Sequence, residues 1–279
     1  MVFNRIIHVV ALFWLALLTS ALAAAVAAPK AKLWPRWETH ATTRTITVDH
    51  DPWDAFLARY VVTRNNMNLV DYHAVDEADR AALDRYIASL EATPVDRLTR
   101  EQQLAFWINL YNAATLRLVL EHYPVHSIRD IDISPGLFSD GPWGAKILTV
   151  AGEKLSLDDI EHRILRPIWR DPRIHYAVNC ASVGCPDLAR RAYQAETVDA
   201  MLDAAARAYV NHPRGIRIDN GRLIASKIYK WYAADFGGTE ARVIAHARQY
   251  ADVALAVRLT DMTRIHDYIY DWSLNDARP

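Results

Sequence analysis

The sequence predicts an α+β fold in a single domain, mostly helical with a small mixed or antiparallel sheet. Three observations carry that reading. Apolar residues recur at three- and four-residue spacing through several stretches, the period of a helix with one buried face. Short β-branched and aromatic runs lie between them without the strand–helix–strand rhythm of a parallel sheet. Asn220-Gly221 separates two alternating runs in GIRIDNGRLIAS, a strong local signal for a tight hairpin.

Along the chain, DPWDAFLARYVV and DEADRAALDRYIASLEA both carry helical spacing. Thr99 and Gln102 form a capping box that opens a helix running to about His122 and stopping before Pro124. DIDISPGLFSDGPWG is a loop by its Asp, Ser, Gly and Pro content. KILTVAGEKLSL reads as a hairpin turning near Gly152. Ser156 and Asp159 form a second capping box, starting a short helix expected to end at Pro167. IHYAVNCAS is expected to be a strand, and Cys185-Pro186 to open a helical stretch. TVDAMLDAAARAYVNH is an amphipathic helix. Ser226 can cap KIYKWYAADF, which Gly237-Gly238 ends. TEARVIAHARQYA is a further helix, and RIHDYIYDWSLN closes the chain as a strand.

At 279 residues, 52% hydrophobic and 23% charged, the chain can fill and cover a sizeable core. A net charge of −1 gives no electrostatic footprint for nucleic acid, which is not expected among its partners. Arg5 precedes an apolar run from Ile6 to about Leu22, and Ala21-Leu22-Ala23 and Ala25-Val26-Ala27 both fit a signal-peptidase pattern. Residues 1–27 are therefore expected to be an export signal, with an uncleaved anchor as the alternative because the run is long enough to span a bilayer. The expected location is periplasmic or secreted, with membrane contact only through this segment if it is retained. Residues 28–50 read as an arm, with TRTITVD as a short strand, and residues 51–279 as the domain.

Chemistry-bearing residues stand where apolar ones are expected. The helix from Gln102 to Glu121 keeps a solvent strip of Gln103, Arg117 and Glu121, and Asn109 and Asn112 share a face away from it. Buried amides need partners, supplied by a nearby loop or strand edge or by a substrate. Glu161 falls inside the apolar face of the next helix, with His162 at its border. Arg163, Arg166, Arg170 and Arg173 are available as ion-pair partners, and a tuned acid–base group is the alternative to a structural pair. In the expected strand, His175 and Asn179 share one face and Cys180 lies on the other. Cys185 is placed at a helix start, where a thiol pKa falls. Four readings stay open for the cysteines: a Cys180–Cys185 disulfide formed after export, a catalytic thiol, inert buried thiols, and a zinc site. The zinc site would add His175 and Glu161 or His162 at loose cysteine spacing.

Five blocks in order, AFWINLYNA (105–113), IEH–LR (160–166), DPRIHYAVNCASVGCP (171–186), SKIYKWYAADFG (226–237) and YDWSLN (270–275), resemble the DUF547 family over roughly residues 65–275. That family is named for its unknown function and is found in exported bacterial proteins and in plant proteins beside other modules. The resemblance implies motif roles for Asn109, Asn112, Glu161, His162, His175, Asn179, Cys180 and Cys185, all present here. Non-exported members of the family also carry the cysteine pair, so an extracellular staple explains it incompletely.

The combined expectation is an exported, enzyme-like domain acting on a small-molecule or peptide-like ligand by acyl or amide transfer or hydrolysis. His175 would be its base, Cys185 its nucleophile, and Glu161 and His162 further acid–base groups. Asn109, Asn112 and Asn179 would be oxyanion or substrate donors, with Arg166 and Arg173 as anion contacts. No cofactor is expected beyond the zinc alternative. Gly-x-Ser-x-Gly and His-Glu-x-x-His motifs are absent from the sequence. The rival is a non-catalytic cell-envelope binding or scaffold module with a Cys180–Cys185 disulfide.

Overall fold

The computed structural model describes residues 29–136 and 141–278. Helix α1 (Asp51–Tyr60) starts with Pro52 in its first turn, where a missing N–H costs nothing, and with Asp51 and Asp54 at its positive end. It stops before Val61, earlier than the sequence spacing suggests. The chain turns there into a hairpin, β1 (Val61–Arg64) with β2 (Met67–Val70). Asn65 and Asn66 make its turn at φ of 50° and 57°, a region asparagine tolerates better than most residues, and the β-branched Val61 and Val62 favour the strand.

Helix α2 (Glu77–Glu91) is capped by Asp76, and α3 (Arg100–His122) by the expected Thr99–Gln102 box. Every residue from Gln102 to Leu116 is buried, so α3 is the axle of the domain. Gln103 is buried too, contrary to its expected place on the solvent strip. Its amide donates to Thr39 O and Val95 O, both at 2.8 Å, because the arm of residues 37–41 lies over that side. The arm carries a 3₁₀ turn at Pro35–Trp37, and Trp37 meets Trp107 edge-on at 5.0 Å. TRTITVD forms no strand, since no neighbouring strand among the described residues pairs with it.

The hairpin β3 (Leu148–Val150) with β4 (Glu153–Leu155) turns at Ala151-Gly152 as expected, and the Ser156–Asp159 box follows. The next helix winds as a π-helix over Asp159–Leu165 and becomes α4 (Arg166–Trp169). Pro167 therefore does not end it. The change of register restarts the hydrogen-bond ladder, so Pro167 sits in a first turn where its missing donor is harmless.

The expected strand IHYAVNCAS does not form. Pro172–Tyr176 is a 3₁₀ turn capped by the Asp171 side chain, and an irregular run follows. Side chains occupy the backbone groups a ladder would use, so local capping wins over strand pairing. Cys185-Pro186 opens no helix either.

The remaining elements are α5 (Val198–Val210), β5 (Ile216–Asp219), β6 (Arg222–Ser226), α6 (Ile228–Trp231), α7 (Glu240–Tyr250), α8 (Val253–Leu259) and β7 (Asp267–Ile269). β5 and β6 make the expected hairpin at Asn220-Gly221, and β7 adds in parallel to β6, completing a mixed three-stranded sheet. Three small sheets and eight α-helices among the described residues give the expected single-domain α+β fold. Its apolar interior has two clusters, a larger one around α3 and a smaller one around α5, α7 and the mixed sheet. Residues 174–178 lie on the seam, with Ile174, Ala177 and Val178 in the larger cluster and Tyr176 in the smaller. The segment 270–277 stitches the fold together. Its backbone bonds reach Val70, His126, Ala181, Val183 and Gly184. The apolar run and cleavage patterns of residues 1–27 lie outside the described residues. No helix among those described is long and apolar enough to cross a membrane.

Candidate functional site

Two clusters of polar side chains meet at the seam. The first is ionic. His175 Nε2 lies 2.7 Å from Asp235 Oδ2, and the same oxygen accepts from Arg166 Nε at 2.6 Å. On the other side of the imidazole, Nδ1 faces Glu161 Oε1 at 3.5 Å. Arg166 Nη1 reaches Pro29 O at 2.6 Å and His162 Nδ1 at 3.0 Å, and His162 Nε2 approaches Asp158 at 3.4 Å. Tyr232 stacks on His175 with centroids 4.0 Å apart, and the Arg166 guanidinium lies 4.8 Å above the same phenol ring.

The wide π turn carries Glu161 and His162, and the arm tops it: Lys32 N donates to His162 O at 2.9 Å and Trp34 N to Arg163 O at 3.0 Å. Burial alone would push Glu161 up, but His162, His175 and Arg166 hold it down at about 2. Asp235 is likewise held at about 2 against its burial by His175 and Arg166. Burial would lower His175. Its bond to Asp235 and the charge of Glu161 outweigh that and keep it above its ordinary value. Each of the two carboxylates and the imidazole thus favours the charged form of the other.

The second cluster holds the thiols. Cys180 Sγ and Cys185 Sγ are 3.0 Å apart, a hydrogen-bond contact, and both cysteines are free. Ser182 Oγ at 3.2 Å and Tyr270 Oη at 3.0 Å complete the shell around Cys180 Sγ, while Cys180 N donates to Cys185 Sγ at 3.0 Å. Cys180 is half-buried and Cys185 is buried. The Cys180 S–H donates to Cys185 Sγ, and this contact, backed by those with Ser182 and Tyr270, lowers the Cys180 pKa against the effect of burial. Burial and the neighbouring Cys180 push Cys185 well up. Cys185 is not at a helix N-terminus, contrary to its expected placement, and the thiol whose pKa is lowered is Cys180.

The amides are engaged with backbone groups of the neighbouring loops. Asn109 accepts from Tyr193 N at 2.9 Å and donates to Tyr193 O at 2.8 Å. Asn112 donates to Ala177 O at 2.9 Å and accepts from Asn179 N at 2.8 Å. Asn179 bridges Ala181 N and Pro186 O, tying off both ends of the cysteine loop. Arg173 does not reach Glu161. It is taken by Asp171, Asp199 and Asp203. The two clusters nonetheless adjoin, because the charge of Glu161 acts on Cys180 and on Tyr111, whose hydroxyl points at Glu161 Oε2 from 3.5 Å.

Sequence reasoning assigned no role to Asp235, Tyr232, Tyr270 or Ser182. The signal for Asp235 was a lone carboxylate in the otherwise apolar run WYAADF. Among the described residues, no three His, Cys, Asp or Glu side chains are arranged to hold a metal.

Residues 95–210 match a family model described as "Protein of unknown function, DUF547", and the chain carries a DUF547 domain there. The match spans both clusters except Asp235, Tyr232 and Tyr270, which stand in the later blocks at 226–237 and 270–275. No curated protein and no solved structure matches the chain.

Proposed function

We propose that this chain is an exported thiol–disulfide exchange protein, with Cys180 Sγ as the attacking atom and Cys185 Sγ as the resolving one. One observation carries the reading. Two free thiols touch at 3.0 Å, the half-buried one is lowered in pKa, and the buried one is raised. That asymmetry suits the chemistry, because a thiolate attacks and a neighbouring thiol must wait until a mixed disulfide exists.

In the forward direction the Cys180 thiolate attacks one sulfur of a substrate disulfide. A Cys180–substrate bond forms and the first substrate thiolate leaves. Cys185, on losing its proton to the departing sulfur, then attacks Cys180 Sγ and expels the second substrate thiolate. Two electrons pass to the substrate, and the protein is left with a Cys180–Cys185 disulfide. In reverse, that disulfide oxidises a substrate dithiol. Acyl or amide transfer has less support. His175 is engaged with Asp235 and faces Glu161, and the three amides are spent on backbone groups. Export is supported by the N-terminal apolar run and its two cleavage patterns, and it makes disulfides available as substrates.

The test is to react the reduced protein with an aromatic disulfide that releases a coloured thiolate. The wild type should release two equivalents and finish with an intramolecular disulfide. Cys185→Ser should release one and keep the adduct on Cys180, seen by mass spectrometry. A stable adduct on the wild type, or an adduct on Cys185, sinks the reading.

A further inference from the structure

The thiol cluster does not end at Tyr270. Its ring meets Trp231 at 4.8 Å and Trp272 at 4.7 Å, Trp231 meets Trp272 at 5.6 Å, and Trp143 meets Trp272 at 5.7 Å. All four side chains are only half-buried. They form a shelf across the seam, since Trp143 and Trp272 pack on the larger apolar cluster and Trp231 and Tyr270 on the smaller. Beyond Trp272 lies an open hollow of about 300 Å³ bounded by Ser127, Arg129, Asp130 and Trp272.

The shelf is fastened to the cysteine loop through the backbone. Val183 N donates to Ser273 O and Gly184 N to Asp271 O, each at 2.8 Å. A Cβ on Gly184 would come within 2.7 Å of Asp271 N, so this glycine is what allows the two segments to lie so close. Large rigid rings with polar tips give much contact area at little entropic cost, which is why Trp and Tyr dominate recognition surfaces.

We infer that the aromatic shelf formed by Trp231, Tyr270, Trp272 and Trp143 is the substrate-binding surface of the thiol site, and that its substrate is a polypeptide whose cysteine is flanked by aromatic or large apolar residues. The inference rests on the exchange reading above and specifies its substrate. Tyr270 links the two functions: its hydroxyl steadies the Cys180 sulfur while its ring continues the shelf, so a cysteine attacked at Cys180 brings its neighbouring side chains against Trp231 and Trp272. A small disulfide has no such side chains and gains nothing from the shelf.

The experiment compares rates of mixed-disulfide formation for the reduced protein with three probes: cystamine, a disulfide-linked peptide dimer with Phe beside each cysteine, and the same dimer with Gly in place of Phe. The Phe dimer should react about tenfold faster than the Gly dimer, the equivalent of one well-buried ring contact. Trp272→Ala and Trp231→Ala should remove most of that advantage, bringing the Phe-dimer rate close to the Gly-dimer rate measured in the same variant. Trp272→Phe, which keeps a ring in place, should retain it. Equal rates for the Phe and Gly dimers, or a Trp272→Phe variant as impaired as Trp272→Ala, overturn the shelf inference while leaving Cys180 as the reactive thiol. A wild-type protein inert to all three probes overturns the exchange reading, and the shelf inference with it.

Discussion

His175 and Cys180 stand five residues apart on one irregular segment, and their surroundings have opposite designs. His175 itself is buried and every charge around it has an opposing charge: Glu161 and the half-buried Asp235 flank the imidazole, and Arg166 shares Asp235. Around Cys180 the partners are neutral hydroxyls and a thiol, and part of the residue meets solvent. Charges that neutralise one another fix a protonation state and resist change. Neutral donors around one sulfur lower the cost of ionising it without settling its state. The first arrangement suits holding a structure and the second suits reacting.

The largest effect should come from breaking the charged end. Asp235→Ala leaves His175 and Arg166 without their shared acceptor, and an uncompensated buried pair costs about 3–5 kcal/mol. Urea midpoints measure this, and a loss of less than about 1 kcal/mol would show that the network is ornamental.

Stability against pH sharpens the same end. Glu161 and Asp235 fall to about 2 from 4.5 and 3.8, so their contribution is complete above the higher values and is lost as the pH drops through the lower ones. His175 is raised above 6.5, so its contribution is complete below 6.5 and fades as the pH rises through its folded value. The three act together between about pH 4.5 and 6.5, and stability should fall on both sides of that window. Asp235→Ala should flatten the curve, and an unchanged curve in that variant contradicts the assignment.

Asn112→Ala tests the bracket between the two ends. It strands Ala177 O and Asn179 N and should cost about 1–3 kcal/mol. It should also change the alkylation rate of Cys180 by releasing the loop that positions it. A thiol rate that stays constant while stability drops would mean that the loop keeps its shape without α3.

The smallest effect on stability, and the most telling for chemistry, belongs to Cys185→Ala. Removing the weak sulfur acceptor of Cys180 N and Cys180 Sγ should cost about 1 kcal/mol. The pH at which Cys180 alkylates should nevertheless move upward, because its main thiolate-stabilising bond is gone. If it moves downward or stays put, Ser182 and Tyr270 set the Cys180 pKa without help.

The sequence was most informative where signals were local. Thr99 with Gln102, Ser156 with Asp159, and Asn220-Gly221 each fix a terminus or turn through atoms a few residues apart, and each formed as expected. Glu161 and His175 were traceable as charges in apolar company. The expected strand failed because its β-branched and aromatic content said nothing of Asn112, sixty-five residues earlier, which takes the Ala177 carbonyl that a ladder would use. The expected helix start at Cys185 failed for a related reason: Pro186 is permissive at a helix start but does not create one. Asp235 and Tyr270 had to wait for the fold, since only tertiary packing brings residues 60 and 90 positions downstream to His175 and Cys180.

The stitching by residues 270–277 also orders events in time. Asn275 takes the Tyr72 hydroxyl and its backbone bonds Val70 and Ala181, while Leu274 bonds His126 and Ala277 returns to Val70. These late residues close contacts with segments made some 90 to 200 positions earlier, and such distant pairings are slow to form. On the ribosome, the seam between the two apolar clusters has no clasp until this segment emerges. The nascent chain should stay open to proteases until residues 270–277 have emerged and become resistant after that.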